Sequence, residues 1–354
     1  MIRRNATANS GAVRVSLVIL ATIFMIAGVY YASSIFAPLT FALLVLALVW
    51  PLQQWLEERM PQSAALFITL LVTIVFVLVF ASMIAWALSG IAEWLLDNVA
   101  RFQTFYKQAT DWLEEHGIFV AGILSERFDV LWLIRLFQEV ARRFNRLAGF
   151  AILAFVFLMM LLLEVDAFRR RITALGKDIG PKLVAAIAES ADKFRKYMLV
   201  RTLLSLVTGL AVWGFAELMG VQPAFAWGLL AFALNYIPFV GSFVATILPG
   251  VFALAQLDSW QTITLVIIGL ACIQFVLGNY VEPLVAGAAL SISPFAVVFA
   301  VFFWGLFWGI PGAFIGVPIL IALMTICEKF PASRWASDLF SGEPPGGAAK
   351  KARG

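Results

Sequence analysis

Two stretches in the last third of the sequence set polar side chains beside prolines within otherwise apolar runs. The first reads Leu234-Asn235-Tyr236-Ile237-Pro238-Phe239-Val240-Gly241-Ser242, followed by Pro249-Gly250. The second reads Gly278-Asn279-Tyr280-Val281-Glu282-Pro283-Leu284-Val285-Ala286-Gly287, followed by Ser291-Ile292-Ser293-Pro294. Proline removes a backbone donor and clashes with the preceding turn. Helix breaks are therefore predicted around Pro238, Gly241, Pro249, Pro283, Gly287 and Pro294. At membrane depth such breaks persist only where protein or water meets the freed backbone groups, and there those groups are free to hold a solute. Glu282 is the sharpest single residue, because an ionisable group in a span is costly and faces a polar interior or pathway. It could take a proton, pair with a cation or accept a hydrogen bond from a polar solute; capping the break at the aqueous edge is the plainer role. Asn235 and Asn279 either contact solute or satisfy the broken backbone. These three are the candidate pathway residues.

Other chemistries lack their parts. His116 is the only histidine, so no histidine-based metal site or HExxH helix can form. There is no P-loop for nucleotide, and neither a Ser/His arrangement nor an aspartate pair emerges for catalysis. No catalytic residue, metal or cofactor is expected, and no enzyme. A net charge of +4 raises nucleic acid, but no basic face alternates with the stacking aromatics that such binding uses. Cys272 and Cys327 both sit in apolar runs and read as buried thiols.

The elements around these residues are hydrophobic. The 354 residues are 62% hydrophobic and 13% charged, with mean hydropathy +0.95, where soluble domains carry about 25% charged residues. So few charges cannot clothe so much apolar surface in water, whereas in lipid the outer surface is apolar by requirement. The fold class expected is all-α, a polytopic integral membrane protein of about eight transmembrane helices. With about 20 apolar residues needed per span, residues 1–90 hold spans one to three, the first two as a tight hairpin divided at Pro38. The apolar run from Val15 is too long for a cleavable signal core and reads as a retained first span. Residues 91–146 alternate charge with Trp94, Trp112, Trp132, Phe137 and Phe144, and Leu131, Ile134, Phe137 and Val140 recur at helical spacing. They form a small helical insert outside the hydrocarbon. Span four is 147–165, a basic segment is 166–198, and residues 199–330 hold spans five to eight as the transport core. Spans six (225–254) and eight (294–327) are each read as one crossing. The tail 331–354, rich in Gly, Pro, Ala and Lys, is expected to be disordered.

From Glu164 to Arg201 there are nine Lys/Arg against five Asp/Glu, while the insert carries seven against eight. The positive-inside rule puts the Arg169-Arg170-Arg171 triplet in the cytoplasm, and with it both termini, leaving the insert extracytoplasmic. The two proline stretches share an Asn-Tyr pair and a following proline at an offset of 44 to 45 residues. That offset makes them a candidate inverted pair. In the last span Gly305, Gly309, Pro311, Gly312 and Gly316 serve close packing or a hinge for alternating access.

The LNYIPFVG run at Leu234–Gly241, the GNYVEPLVAG run at Gly278–Gly287 and the FWGLFWGIPGAFIGVP run at Phe303–Pro318 resemble the autoinducer-2 exporter family of bacterial multi-pass membrane proteins. The segment Leu199–Gly220 is similar to the branch proposed to export the quorum-sensing signal. The likeness is specific from about Tyr197 to Lys329 and general before that. It implies eight spans in the bacterial inner membrane, a homo-oligomer with a pentamer as its expected form, and export of autoinducer-2 or another small hydrophilic compound. Some relatives are credited with sodium–proton antiport, so cation–proton exchange stays open beside small-polar-solute transport, as does a non-transporting scaffold. Its partners are thus a small polar solute and membrane lipid.

Overall fold

The computed structural model describes residues 3–115, 130–282 and 292–342. Pro283, Gly287, His116 and the chain from 343 onward lie outside them. Among the described residues the regular elements are helices, apart from one isolated bridge between Ile292 and Ser341. Six helices are long and apolar enough to cross a bilayer. Large apolar side chains such as Phe67, Phe76, Leu78 and Val79 stand exposed on the outer surface, as lipid requires and water would penalise. The chain is an all-α polytopic membrane protein.

Helix α1 (Arg3–Tyr31) meets α2 (Ser33–Glu57) at one non-helical residue, Ala32. Pro38, where a hairpin break is predicted, instead lies inside α2. A proline in the second helical turn forfeits a single intrahelical bond, and Thr40 Oγ1 donates to the Phe36 carbonyl beside it. Bonds from Ala32 N to Gly28 O and from Phe36 N to Ala32 O carry the helix across the junction, so the chain bends there rather than doubling back. A short turn then leads to α3 (Gln62–Asp97), which is followed by α4 (Val99–Glu115). Helix α5 (Val130–Thr173) has 44 residues, about 66 Å at 1.5 Å per residue against a hydrocarbon core of about 30 Å. Its apolar span begins near Ala148, so its first turns project beyond the membrane on the insert side. Helices α3, α5 and α6 (Ile179–Met219) run unbroken through the segment boundaries expected at 90, 146 and 198.

After α6 the chain departs from simple crossings. Helices α7 (Ala224–Leu234) and α8 (Val240–Gln256) are too short to span singly. Gln222 N donates to Gln256 Oε1 at 2.7 Å, and Gln256 Nε2 donates to Gln222 O at 2.6 Å. The outer ends of the pair therefore meet, and 225–254 is a hairpin that enters and leaves by one end of the molecule, not one crossing. Trp94 and Phe102 pack on Phe252 at that end, which places the hairpin mouth beside α4 of the insert. Helix α9 (Trp260–Val276) then runs toward the other end and finishes in a π-helical turn, Leu277–Val281.

Helix α10 (Pro294–Lys329) is broken at Gly309, whose φ of 66° and ψ of −142° only glycine adopts freely. A methyl group on Gly316 would sit 2.7 Å from the Ala300 carbonyl. Residues sixteen apart would be about 24 Å apart on a straight helix. The arms 294–308 and 310–329 are thus antiparallel, and 294–327 is a second hairpin rather than one span. Its outer end is closed by α11 (Arg334–Phe340), where Ser293 N donates to Phe340 O at 2.9 Å. Both misreadings have one physical source: an apolar run of span length shows its composition, while one turn in its middle decides whether it crosses. Cys272 and Cys327 are free thiols, and Cys272 is exposed on α9 rather than buried.

Candidate functional site

The tip of the first hairpin is built by the predicted proline. Residues Asn235 to Phe239 form the link, with Pro238 in it, and Val240 N donates to Pro238 O at 2.7 Å. Phe239 carries φ 64° and ψ −49°, the γ-turn of the rarer, strained hand. Gly241 follows at once, buried, where a side chain would run into the Leu234 carbonyl. Pro249 is buried within α8, and Pro294 stands at the start of α10, where a missing N–H costs nothing.

This tip brings Asn235 against α6. Asn235 is 8% exposed, and its Nδ2 donates to Ser205 Oγ at 3.2 Å. Tyr236 O–H donates to Thr202 Oγ1 at 2.9 Å, and its ring stacks on Phe314 of the second hairpin. The two hairpins, entering from opposite ends, therefore touch. Ile237 joins the same apolar cluster as Val301, Val317 and Ile321.

Glu282 follows directly on the π-helical turn. Arg201 Nη1 of α6 donates to Glu282 Oε1 at 2.9 Å, with the arginine side chain 5% exposed and the glutamate 39%. Between the pair and the hairpin tip lies a small cavity of about 240 Å³ including its open mouth. Its polar lining is Thr208, Asn235, Ser242, Gln274 and Glu282, and Leu204 and Leu277 wall it. This surface offers hydroxyl, amide and carboxylate groups to a small hydrogen-bonding molecule. Among the described residues no group of His, Cys, Asp and Glu could hold a metal ion.

Asn235 and Glu282 thus come together, whereas Asn279 does not join them. Asn279 is exposed on the far face of the π-turn, and its Nδ2 donates to the Phe275 carbonyl. The Asn-Tyr pairs also occupy unlike places, one in a buried hairpin tip and one on the side of a helix. The 44-residue offset is therefore not the axis of an inverted pair. The inversion lies between larger units: α6 with the first hairpin, and α9 with the second, each a crossing followed by a hairpin from the end just reached. Gly305, Gly309, Pro311, Gly312 and Gly316 all belong to the second hairpin, around its tip and in the groove between its arms.

Sequence reasoning missed Arg201, counting it only among the charges from Glu164 to Arg201 that set the orientation. The signal was there: Tyr197, Arg201, Ser205 and Thr208 recur at helical spacing through an apolar run, and all four are buried on one stripe of α6.

Helices of span length, two hairpins whose tips touch and a small cavity beside the first tip mark a multi-pass membrane protein with hydrogen-bonding side chains gathered among its helices. The AI-2E family transporter model matches residues 19–332, and the chain belongs to that family. It is 26% identical over 310 residues to the AI-2 transport protein TqsA of Escherichia coli, spanning 87% of this chain and 89% of that one. A Haemophilus influenzae protein, provisionally named a transport protein, is 26% identical over 338 residues, 90% and 93% of the two chains. YrrI of Bacillus subtilis, also provisionally named for transport, is 22% identical over 326 residues, 84% and 87% of the two chains.

Proposed function

We propose that the protein carries a small polar metabolite across the bacterial inner membrane through the cavity between the first hairpin's tip, α6 and α9, with autoinducer-2, the solute in TqsA's name, the first to test. The observation that carries this reading is the meeting of Asn235, Gln274 and Glu282 around one small cavity enclosed by the first hairpin's tip, α6 and the end of α9. A cavity at the tip of one hairpin, where Tyr236 leans on Phe314 of the other, suits alternating access in which the hairpins move against α6 and α9. The strained turn at Phe239 and the lone break at Gly309 are where such motion would concentrate.

Cation–proton antiport wants a carboxylate free to exchange ions, and Glu282 is instead held by Arg201. Solute transport is therefore the favoured reading. On sidedness, Lys329 pairs with Glu189, and Lys193 with Glu328 at 3.0 Å. These contacts put the base of the second hairpin at the same end as the basic segment, which supports a cytoplasmic C-terminus under the positive-inside rule. The insert then faces outward. The assembly we propose is a homo-oligomer, a pentamer by family resemblance.

The direct test is efflux from proteoliposomes loaded with autoinducer-2. Loss faster than from protein-free vesicles, and insensitive to an imposed sodium gradient, is expected. Retention of autoinducer-2 and of a panel of polar metabolites at the protein-free rate would refute the proposal. Sodium-driven proton movement abolished by Glu282→Gln would favour antiport instead.

A further inference from the structure

Resting on the transport reading but reaching past it, we infer that Arg201 determines solute class by holding the cavity at zero net charge, so that the site accepts uncharged hydrogen-bonding molecules and turns away cations. Among the described lining residues Glu282 is the one charged side chain. Unopposed, a carboxylate beside Leu204 and Leu277 would draw cations and repel anions, because apolar walls leave its field poorly screened. Arg201 lies behind it, buried, at 2.9 Å, and sends no side chain into the cavity itself.

The contact looks ill suited to a purely structural bridge. One guanidinium nitrogen meets one carboxylate oxygen, and Arg201 Nε is buried with no hydrogen-bond partner. A pair selected for stability would be expected in the two-pronged geometry that arginine and carboxylate allow. What the contact does supply is a fixed positive charge. The remaining groups nearest the pair, Tyr197 and Tyr236, are phenols and leave the balance unchanged. Gln274, Asn235, Thr208 and Ser242 are then left to recognise the solute through hydrogen bonds alone. Arg201 is on this view a positioning and charge-setting residue, acting through Glu282.

The cavity charge can be read without any transport assay. In a background with Cys272 and Cys327 replaced by Ala, Ser242→Cys places a thiol on the cavity wall. Its reaction rates with cationic and anionic methanethiosulfonates are compared as a ratio, corrected for the ratio on a free small thiol. The parent should give a corrected ratio near one. Arg201→Met should raise it by about tenfold or more, Arg201→Lys should leave it near the parent, and Arg201→Met with Glu282→Gln should bring it back. An Arg201→Met protein that stays monodisperse yet keeps the parent ratio would overturn the inference. Should Arg201→Met fail to fold, Glu282→Gln alone leaves the arginine unopposed and must lower the ratio; an unchanged ratio there overturns it equally. In vesicles, Arg201→Met should gain methylammonium uptake and lose erythritol uptake. Absence of any flux in the parent would count against the transport reading alone, since the reagent ratio decides the charge assignment by itself.

Discussion

At the scale of single residues, the account turns on two sets of charges with opposite surroundings. Arg201, buried in α6, and Glu282, partly exposed after the π-helical turn, face one another, and removing one partner strands the other. Arg201→Met should lower unfolding stability in detergent by about 1–3 kcal/mol, less than for a fully buried pair because Glu282 is partly open to solvent. Adding Glu282→Gln should recover part of that loss, and thermal unfolding of the two variants measures both. At the end of the molecule, Glu189 takes hydrogen bonds from Lys329 and Lys193. The Lys329 bond, foremost, holds its carboxyl below the usual range of 4.5 against the burial that raises it. Burial pulls Lys193 down, but hydrogen bonds to Glu328 and Glu189 outweigh it and hold it above 10.5. A depressed carboxyl contributes stability above its unfolded pKa and loses it as pH falls through the folded value. A raised lysine contributes below its unfolded pKa and loses it as pH climbs through the folded one. The difference in unfolding temperature between the parent and Glu189→Gln should therefore stay level from roughly pH 5 to pH 10. It should shrink below that window, and added salt should narrow it throughout because these groups are partly exposed. A difference that peaks in acid would contradict the pairing. Glu282 was legible in the sequence because a carboxylate beside a proline in an apolar run has few reasons to be there. Arg201 was not, because it stands just past the basic segment, at the start of a span, where any arginine passes for an interfacial charge.

At the scale of elements, the hairpins rest on a few backbone positions. Gly309→Ala forces a side chain into a conformation open to glycine alone, and should cost about 1–3 kcal/mol. Gly214→Ala is the matched control: it adds a methyl group inside α6 with nothing within 4 Å, and should be neutral or stabilising by about 0.5 kcal/mol. The fold-back has its own test. A side-chain carbon on Gly305 would lie 3.5 Å from that of Ala313, which is disulfide range, whereas a straight helix would separate the two positions by about 12 Å. Gly305→Cys with Ala313→Cys, in the background without native cysteines, should therefore oxidise to an intrachain bond detectable by mass spectrometry. Free thiols under the same oxidant would restore the single-span reading. The breaks themselves could be read from Pro238 and the glycines around Pro311. Their consequence could not, since a kinked crossing and a returning hairpin have the same composition and differ only in tertiary contacts such as Gln222 with Gln256.

For the whole molecule, the composition alone indicated lipid, and the structure adds how the chain is disposed in it. Two crossings, α6 and α9, each lead into a hairpin from the end they reach. Reading both hairpins as single crossings changes the count twice, so α10 still ends beside the basic segment. The order of the later helices around the site, however, is altered entirely. The central claim is that solute passes where the first hairpin tip leans on α6, at Asn235 and Ser205. It is tested most directly by joining those two positions as cysteines and following autoinducer-2 efflux from proteoliposomes. Efflux through the reduced variant, slower than the parent's because Asn235 lines the cavity, should stop when the pair is oxidised and resume at the reduced variant's rate on reduction. Undiminished efflux through protein shown to be fully cross-linked would mean that the tip does not move and the route lies elsewhere.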